Sequence, residues 1–312
     1  MKTSLIISTK NRKEDLRRAV VSCLAQKGHH EVIVVDDGSS DGTSELVRRE
    51  FPDVRLIRSE QSLGCVAQRN RAAQLALGDI LFSIDDDAEF SSPDVVSATL
   101  KEFEHPRIAA VAIPYSEPYK SSNEFQRAPN VDCIHVTDSF VGTAHALRKV
   151  IFLGLGGYRE GLVHQGEESD YCLRLLEAGY VVRLGNADPI LHFESDQRDW
   201  SRVDYYGSRN TLLFAYQNVP MPYFPMHLAV ASWNVAARTF DPPRFANRIK
   251  AVAHACLWCL QHPSARRPVS PATYRLFRRL RKKGPMCLAE IDARLKARGG
   301  DVDGICLGAS PE

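Results

Sequence analysis

The first 90 residues alternate short, continuous apolar segments with stretches of helical periodicity. Apolar residues fill Leu5–Ile7, Val32–Val35 and Ile80–Ile84, as in strands that are buried on both faces. Between them, Arg12–Gln26 and Cys65–Leu77 place apolar residues on one face of a helix. Because strands buried on both faces and separated by helices are typical of parallel sheets, the sequence predicts an α/β fold. We expect a mostly parallel, Rossmann-like sheet flanked by helices.

Polar clusters follow three of the predicted strands, at the point where each strand ends. These clusters are Ser8–Arg12, Asp36–Ser39 and Asp85–Asp87. In open α/β sheets, ligands bind beyond the carboxyl ends of the strands. The coincidence predicts a binding site at this edge of the sheet.

The cluster Asp85–Asp87 consists of three consecutive carboxylates. Adjacent carboxylates repel one another, and burying them unpaired is costly, so we expect a positive charge nearby. Mg²⁺ or Mn²⁺ fits, because both prefer oxygen ligands and share them with substrate phosphates. A solvated acidic turn is the alternative interpretation.

Two phosphate-binding motifs are missing from the sequence. There is no G-x-x-x-x-G-K-[ST] motif, and no G-x-G-x-x-G follows the first predicted strand. These absences disfavour a Walker-type ATPase and a Rossmann dehydrogenase.

Four motifs in the first 90 residues occur in a characteristic order: S-T-K-N-R, V-V-D-D-G-S-S-D-G-T, G-x-x-x-x-R-N-x-A and G-D-I-L-F-S-I-D-D-D. Together they resemble a family-2 glycosyltransferase of the GT-A fold, in the nucleotide-diphospho-sugar transferase superfamily. The segment G-E-E-S-D-Y-C-L-R-L at Gly166–Leu175 is similar to the family's G-E-D-x-D-L-x-x-R. The resemblance predicts a GT-A domain at 1–215 and a mostly helical extension at 216–312.

The resemblance implies a donor site for a nucleotide sugar, UDP- or dTDP-linked. Its predicted residues are Thr9, Asn11, Arg12, Asp36, Asp37, Arg69, Asn70 and Asp85. One of the two carboxylates Asp36 and Asp37 can accept the imide N–H of uracil or thymine. The alternative for this pair is an Asx-type turn stabilised by Gly38.

The resemblance also implies a metal site at the D-x-D pair, Asp85 and Asp87, with Asp86 as a spacer. His192, at the end of a short predicted strand, is a third candidate ligand, and imidazole suits Mn²⁺ better than Mg²⁺. A histidine that is simply hydrogen-bonded in the fold is the alternative.

The general base implied by the family pattern is Glu168, with Glu167 and Asp170 as further candidates. The sequence departs from the pattern at Glu168, where the family more often has Asp. The alternative is a set of acidic residues in the first turn that stabilises a helix through its dipole.

A basic segment follows the predicted enzyme domain. Residues 244–283 contain eleven Lys or Arg and no acidic residue, which leaves the rest of the chain with a net charge of −9. Leu276, Phe277 and Leu280 recur at helical spacing among these charges, as in a helix lying on a membrane. The partners predicted for 244–283 are therefore an anionic membrane surface, or else the protein's own core; nucleic acid is disfavoured.

The sequence shows no signal peptide and no apolar run long enough to span a bilayer. We therefore expect a cytoplasmic protein, peripheral on the inner face of the membrane, with its eight cysteines reduced.

The predicted function is metal-dependent, inverting transfer of a sugar to a saccharide or lipid-linked acceptor in cell-surface polysaccharide assembly. Acceptor specificity is expected in the loop Gly154–Gly166 and in the C-terminal region. A sugar-nucleotidyltransferase and a catalytically inactive, glycosyltransferase-like binding protein are the alternatives.

Overall fold

The apolar segments of the N-terminal half form strands of one large sheet. The computed structural model describes residues 1–193, 199–237 and 242–296. The strands are β1 (Thr3–Thr9), β2 (Glu31–Asp36), β3 (Arg55–Arg58), β4 (Ile80–Asp85), β5 (Ala88–Phe90), β6 (Ile108–Ala112), β7 (Tyr115–Ser116), β8 (Glu124–Phe125), β9 (His135–Thr137), β10 (His145–Arg148), β11 (Val181–Leu184), β12 (Ile190–His192) and β13 (Met286–Cys287). The α-helices are α1 (Lys13–Leu24), α2 (Thr43–Glu50), α3 (Cys65–Leu75), α4 (Val95–Lys101), α5 (Lys149–Gly154), α6 (Glu167–Glu177), α7 (Trp200–Asn218), α8 (Tyr223–Ala237), α9 (Pro242–Gln261), α10 (Pro271–Lys283) and α11 (Leu288–Lys296).

The large sheet has nine strands in the order β13-β9-β11-β6-β10-β4-β1-β2-β3, and a second sheet has the order β5-β12-β7-β8. Strands β4, β1, β2 and β3 are parallel, as expected from the alternation of strands and helices. The other half is mixed, because β10 runs antiparallel to both β4 and β6. The direction of β10 depends on the path of the preceding loop, which apolar periodicity does not encode.

Both faces of the parallel strands β1, β2 and β4 are mostly buried. Leu5 and Ile7 of β1 pack in the same apolar cluster as Leu16 of α1, whereas Ile6 packs in a separate cluster with Val66 of α3. This alternation follows from the two-residue period of a strand. It explains why consecutive positions in the middle of β1 are apolar.

The register of the parallel strands aligns their polar ends. Thr9 of β1 lies beside Asp36 of β2, and Ser8 lies beside Asp85 of β4. The predicted convergence of the polar clusters at one edge of the sheet is therefore confirmed.

The C-terminal region packs into the same core. Strand β13 pairs with β9, and Leu276, Phe277 and Leu280 of α10 are buried with residues of the central sheet. The apolar stripe of α10 therefore contacts the protein's own core, which was the alternative to a lipid-facing stripe. Residues 297–312 of the predicted extension lie outside the described residues.

The pairing of β13 with β9 also brings two cysteines together. Cys133 and Cys287 form a disulfide, so the prediction that all eight cysteines are reduced is wrong for this pair. The two residues are 154 positions apart, and only the tertiary structure shows that they meet. Within the described residues, no helix has the length and apolar content needed to cross a membrane.

Candidate active site

A cleft of about 470 Å³ lies at the carboxyl ends of β1 and β4. The N-termini of α3 and α6 border it, and the start of α7 forms part of its wall. Gly64 precedes α3 with φ +88°, a conformation that other residues rarely adopt. Nine of the predicted site residues line this cleft: Thr9, Arg12, Asp37, Arg69, Asp85, Asp87, Glu167, Glu168 and His192.

Two arginines supply the positive charge that the aspartate cluster requires. Arg69 donates to Asp85 at 2.7 Å, and Arg12 donates to Asp86 at 3.0 Å and to Asp87 at 2.9 Å. These ion pairs offset the mutual repulsion of the carboxylates. The cluster is therefore a built site at the end of a strand, and the interpretation as a solvated turn does not hold.

Asp86 is an integral part of the cluster. Its side chain is buried and accepts a hydrogen bond from the Thr9 hydroxyl at 2.7 Å besides the one from Arg12. Burial raises the pKa of Asp86 to about 7, although the charge of Arg12 opposes this effect. The prediction that Asp86 is only a spacer is wrong, because the strand end turns its carboxylate inward.

Asp85, Asp87 and His192 form a candidate metal centre. One ligand atom from each lies within 4.8 Å of the others, and the His192 Nε2 to Asp87 Oδ1 distance is 3.4 Å. Burial lowers the pKa of His192, but the hydrogen bond to Asp87 and the negative charges around it outweigh burial and raise it. Two carboxylates and one imidazole fit Mn²⁺ well and Mg²⁺ less well.

Asp170 lies outside the lining of the cleft. Its buried carboxylate accepts hydrogen bonds from Arg159 at 2.7 Å, Arg174 at 2.9 Å and Asn218 at 2.8 Å. These partners occupy both oxygens and join α6 to α7. The contacts give Asp170 a structural environment, in contrast to the cleft-lining residues Glu167 and Glu168.

Glu167 and Glu168 differ in their partners. Glu167 is buried and accepts from Arg69 at 3.4 Å, whereas the half-buried Glu168 has no side-chain partner among the described residues. Burial raises the pKa of Glu168 to about 8, and the charge of Glu167 adds to the increase. Within the part of the chain that the structure describes, Glu168 is therefore the cleft-lining carboxylate of α6 that no other side chain holds.

Gly142 makes room for this constellation. A Cβ atom at position 142 would lie 2.7 Å from Glu168 Oε1 and 2.9 Å from Arg69 Nη1, which is closer than atoms can approach. Its neighbour Thr143 accepts a hydrogen bond from the Asp85 backbone N–H at 3.2 Å. The sequence analysis did not identify Gly142 or Thr143. Neither lies in a recognisable motif, because Gly142 matters through its contact with a helix that is distant in the chain.

Asp36 and Asp37 have separate roles. Asp36 accepts from the Ser39 backbone N–H at 2.7 Å, which is the Asx-type turn considered as the alternative, and it lies outside the cleft lining. Asp37 lines the cleft and accepts from Ser62, Leu63, Gly64 and Gln68. Burial raises the pKa of Asp37, but these hydrogen bonds outweigh burial and lower it.

Two further predicted donor-site residues anchor loops outside the cleft lining. Asn11, at φ +55°, accepts from the Ser40 backbone N–H at 2.8 Å. Asn70 donates to the Tyr158 carbonyl at 2.8 Å and accepts from the Tyr158 N–H at 2.9 Å. Asn11 thereby joins the turns after β1 and β2, and Asn70 fixes the loop Gly154–Gly166.

A larger cavity of about 600 Å³ lies beside the loop Gly154–Gly166, between it and the segment 258–269. Among its described lining residues the acidic one is Glu177, which accepts hydrogen bonds from Ser270. This cavity lacks a cluster of carboxylates, and we therefore place the candidate chemistry in the smaller cleft.

The sequence matches a known family over its N-terminal half. Residues 4–153 match the family model described as "Glycosyl transferase family 2". A curated relative, the "Pre-mycofactocin glycosyltransferase" of Mycobacterium tuberculosis, is 28% identical over 220 residues, which cover 65% of this chain and 46% of the relative. The chain thus spans less than half the length of that relative.

Solved structures share the fold at low sequence identity. The mannosyltransferase PcManGT of Pyrobaculum calidifontis, in complex with GDP-Man and Mn²⁺, has a TM-score of 0.56 and 20% identity, covering 96% of this chain and 86% of that one. S. aureus TarS 1-349 in complex with UDP-GlcNAc has a TM-score of 0.63 and 15% identity, covering 97% and 89%. At these identities the likeness establishes the fold.

Proposed function

Residues 4–153 belong to glycosyl transferase family 2, and from this premise we propose that the cleft transfers a sugar from a nucleotide-diphosphate donor to an acceptor hydroxyl. The fold is that of the GT-A glycosyltransferases, as predicted. One observation carries the proposal: the candidate metal centre lines the same cleft as the carboxylate of Glu168, which no described side chain holds. Transfer needs a group that holds the diphosphate and a base that faces the acceptor.

Asp85, Asp87 and His192 are the residues that would hold a Mn²⁺ or Mg²⁺ ion. A bound ion of this kind supplies Lewis-acid neutralisation of the departing diphosphate. Arg69 keeps Asp85 in position through a 2.7 Å hydrogen bond. Arg12 does the same for Asp87 and leaves part of its guanidinium exposed towards the cleft.

Glu168 is the proposed general base. In the reaction, the acceptor oxygen bonds to the anomeric carbon while the bond from that carbon to the diphosphate oxygen breaks. The acceptor proton passes to the Glu168 carboxylate, whose raised pKa makes it a stronger base than a solvated carboxylate. Attack from the face opposite the diphosphate inverts the anomeric centre.

Asp37 is the proposed partner of the donor's base. Its two oxygens already accept four hydrogen bonds, which is about the full capacity of a carboxylate. The Ser62 hydroxyl can rotate away and free one acceptor position. An imide N–H of uracil or thymine would then take its place, which favours a UDP- or dTDP-sugar.

The acceptor is proposed to be a saccharide or a lipid-linked saccharide in cell-surface polysaccharide assembly. The loop Gly154–Gly166 is placed to contact the acceptor, because its end reaches the cleft at His164 and Gln165. Asn70 anchors the same loop on α3. A rigid loop beside the proposed base is suited to orienting an acceptor hydroxyl.

Calorimetry with UDP-, dTDP- and GDP-sugars, with and without Mn²⁺, tests the donor site. We expect Mn²⁺-dependent binding to the native protein and its loss in Asp87→Ala. Asp53→Ala, which removes an exposed aspartate far from the cleft lining, is the control and should bind normally. Unchanged Mn²⁺-dependent binding to Asp87→Ala would show that the metal centre is elsewhere.

A further inference from the structure

Helix α8 exposes apolar side chains on the face directed away from the protein. Met226 is 69% exposed, Val230 54% and Trp233 73%, and their spacing places them on one side of the helix. The helix contains no charged residue. An exposed helix is normally polar on its outer side, so this side chain pattern is unusual.

Helix α9 repeats the pattern. Ile249 is 50% exposed, Leu257 52% and Leu260 81%, again at helical spacing. We call these three residues, together with Met226, Val230 and Trp233, the outer apolar face. Single exposed apolar residues are common, but rows of them on consecutive helices mark an interaction surface.

The outer apolar face does not take part in the packing of α8 and α9 on the rest of the protein. The opposite sides of α8 and α9 pack on α7, where Ala231 and Ala255 join Leu212 and Leu213 in one apolar cluster. Both helices therefore have an inner face that is buried and an outer face that is left to solvent.

The charge of this region indicates the chemistry of the partner. Residues 205–289 contain thirteen Lys or Arg and a single acidic residue. Lys250 is exposed next to Ile249 on α9, and the exposed Arg275 of α10 donates to the Tyr223 hydroxyl at the start of α8 at 3.0 Å. Positive charges thus flank the apolar side chains of both helices.

We propose that the outer apolar face docks the protein on an anionic lipid surface. Apolar side chains beside Lys and Arg are the combination that binds the interface of an anionic bilayer. A second copy of the chain fits less well, because two basic regions would repel each other. The apolar stripe of α10 is buried in the core. The proposed apolar contact with the bilayer is therefore made by α8 and α9.

Flotation with vesicles tests this surface in the full-length protein. The native protein should float with phosphatidylcholine–phosphatidylglycerol vesicles and much less with phosphatidylcholine alone. The pairs Val230→Ser/Trp233→Ser and Leu257→Ser/Leu260→Ser should each reduce vesicle binding about tenfold or more, because each pair removes apolar area that would enter the bilayer. Because these side chains are exposed, we expect the serine variants to fold like the native protein.

Leu77 and Val131 provide a matched control. They are 72% and 81% exposed, as Trp233 and Leu260 are, but they lie outside α8 and α9. Leu77→Ser/Val131→Ser should float like the native protein. If both serine pairs on α8 and α9 also float like the native protein, the proposal is wrong.

The electrostatic part is tested by Lys250→Gln. One Lys near a charged membrane contributes about 1 kcal/mol, so we expect about fivefold weaker binding to anionic vesicles and no change on phosphatidylcholine. Light scattering without lipid examines the second-copy alternative. A native dimer that the serine pairs convert to monomers, without any vesicle binding, would overturn the proposal. Donor binding by calorimetry is independent of these results.

Discussion

Two acidic residues in the first turn of α6, Glu168 and Asp170, have different surroundings. Among the described residues, Glu168 lines the cleft without a side-chain partner, whereas Asp170 is held by Arg159, Arg174 and Asn218. Both are acids on one helix, two residues apart. The difference shows that residue type and position on the helix do not assign a role here. The partners distinguish the carboxylate that we propose as the proton acceptor from the one that joins α6 to α7.

The largest expected effect is that of Glu168→Gln. Removing a general base typically costs 10²–10⁴-fold, and we expect kcat to fall by about 10³. Donor binding should stay unchanged, and the melting temperature should not fall, because Glu168 has no side-chain partner among the described residues to lose. Steady-state kinetics, calorimetry and thermal unfolding measure these quantities. Full transfer activity in this variant would remove the proposed role of Glu168.

Asp170→Asn should act on stability. The variant leaves two arginines without their buried counter-charge, and we expect a loss of about 3–5 kcal/mol in the free energy of unfolding. Urea denaturation measures it. Asp15→Asn, which breaks an exposed pair with Arg18, should cost less than about 1 kcal/mol. If Asp170→Asn lost activity at native stability, the contrast between the two carboxylates would fail.

Gly142→Ala should affect the cleft and leave the Asp170 cluster intact. The added Cβ would push the ends of the Glu168 and Arg69 side chains away from position 142. A misplacement of about 1 Å lowers kcat about 10²-fold. Gly154→Ala is the control, since a Cβ there meets no atom within 4 Å. If the two alanine variants have equal kcat values, the side chain of Glu168 can move away from position 142 without any loss of activity.

The smallest expected effect is the pH dependence of activity and stability that Glu168 causes. Because the pKa of Glu168 is raised to about 8, transfer should increase with pH through that value and level off above it, as the base loses its proton. The sign for stability is opposite: the folded state holds the proton more tightly than the unfolded state. The Glu168 contribution to stability is therefore present at low pH and lost as pH rises from about 4.3 to about 8.

Paired measurements with Glu168→Gln sharpen this prediction. The variant should lose the pH-dependent rise in activity and the matching decline in stability together. A native-like pH profile of stability in Glu168→Gln would assign the titration to another group of the cleft.

Much of the site could be predicted from the sequence. The apolar runs of β1, β2 and β4 and the polar residues after them placed Asp37, Asp85 and Asp87 at one edge of the sheet. The prediction succeeds because strand periodicity and the geometry of parallel sheets are local properties. The motif at Gly166–Leu175 placed Glu167 and Glu168 in the same cleft.

The errors share one physical cause. Asp86 is buried against Thr9 and Arg12, and Cys287 reaches Cys133. The burial of the apolar stripe of α10, for which the sequence left two alternatives open, has the same cause. Each depends on a contact between residues far apart in the chain. The local sequence pattern indicates which face of a helix is apolar or where a carboxylate lies, but it does not indicate which distant residues will contact it.

The sequence by itself determined the α/β sheet, the convergence of three polar strand ends and the acidic start of α6. Hydrophobic periodicity and the directional chemistry of strand ends are sufficient for that. Only the tertiary structure decided that Glu168 has no side-chain partner in the described part of the chain, that Asp170 is held by arginines and that Gly142 leaves room for the cleft. The reason is that the proton affinity of a carboxylate depends on burial and on neighbouring charges, and folding alone brings those neighbours together.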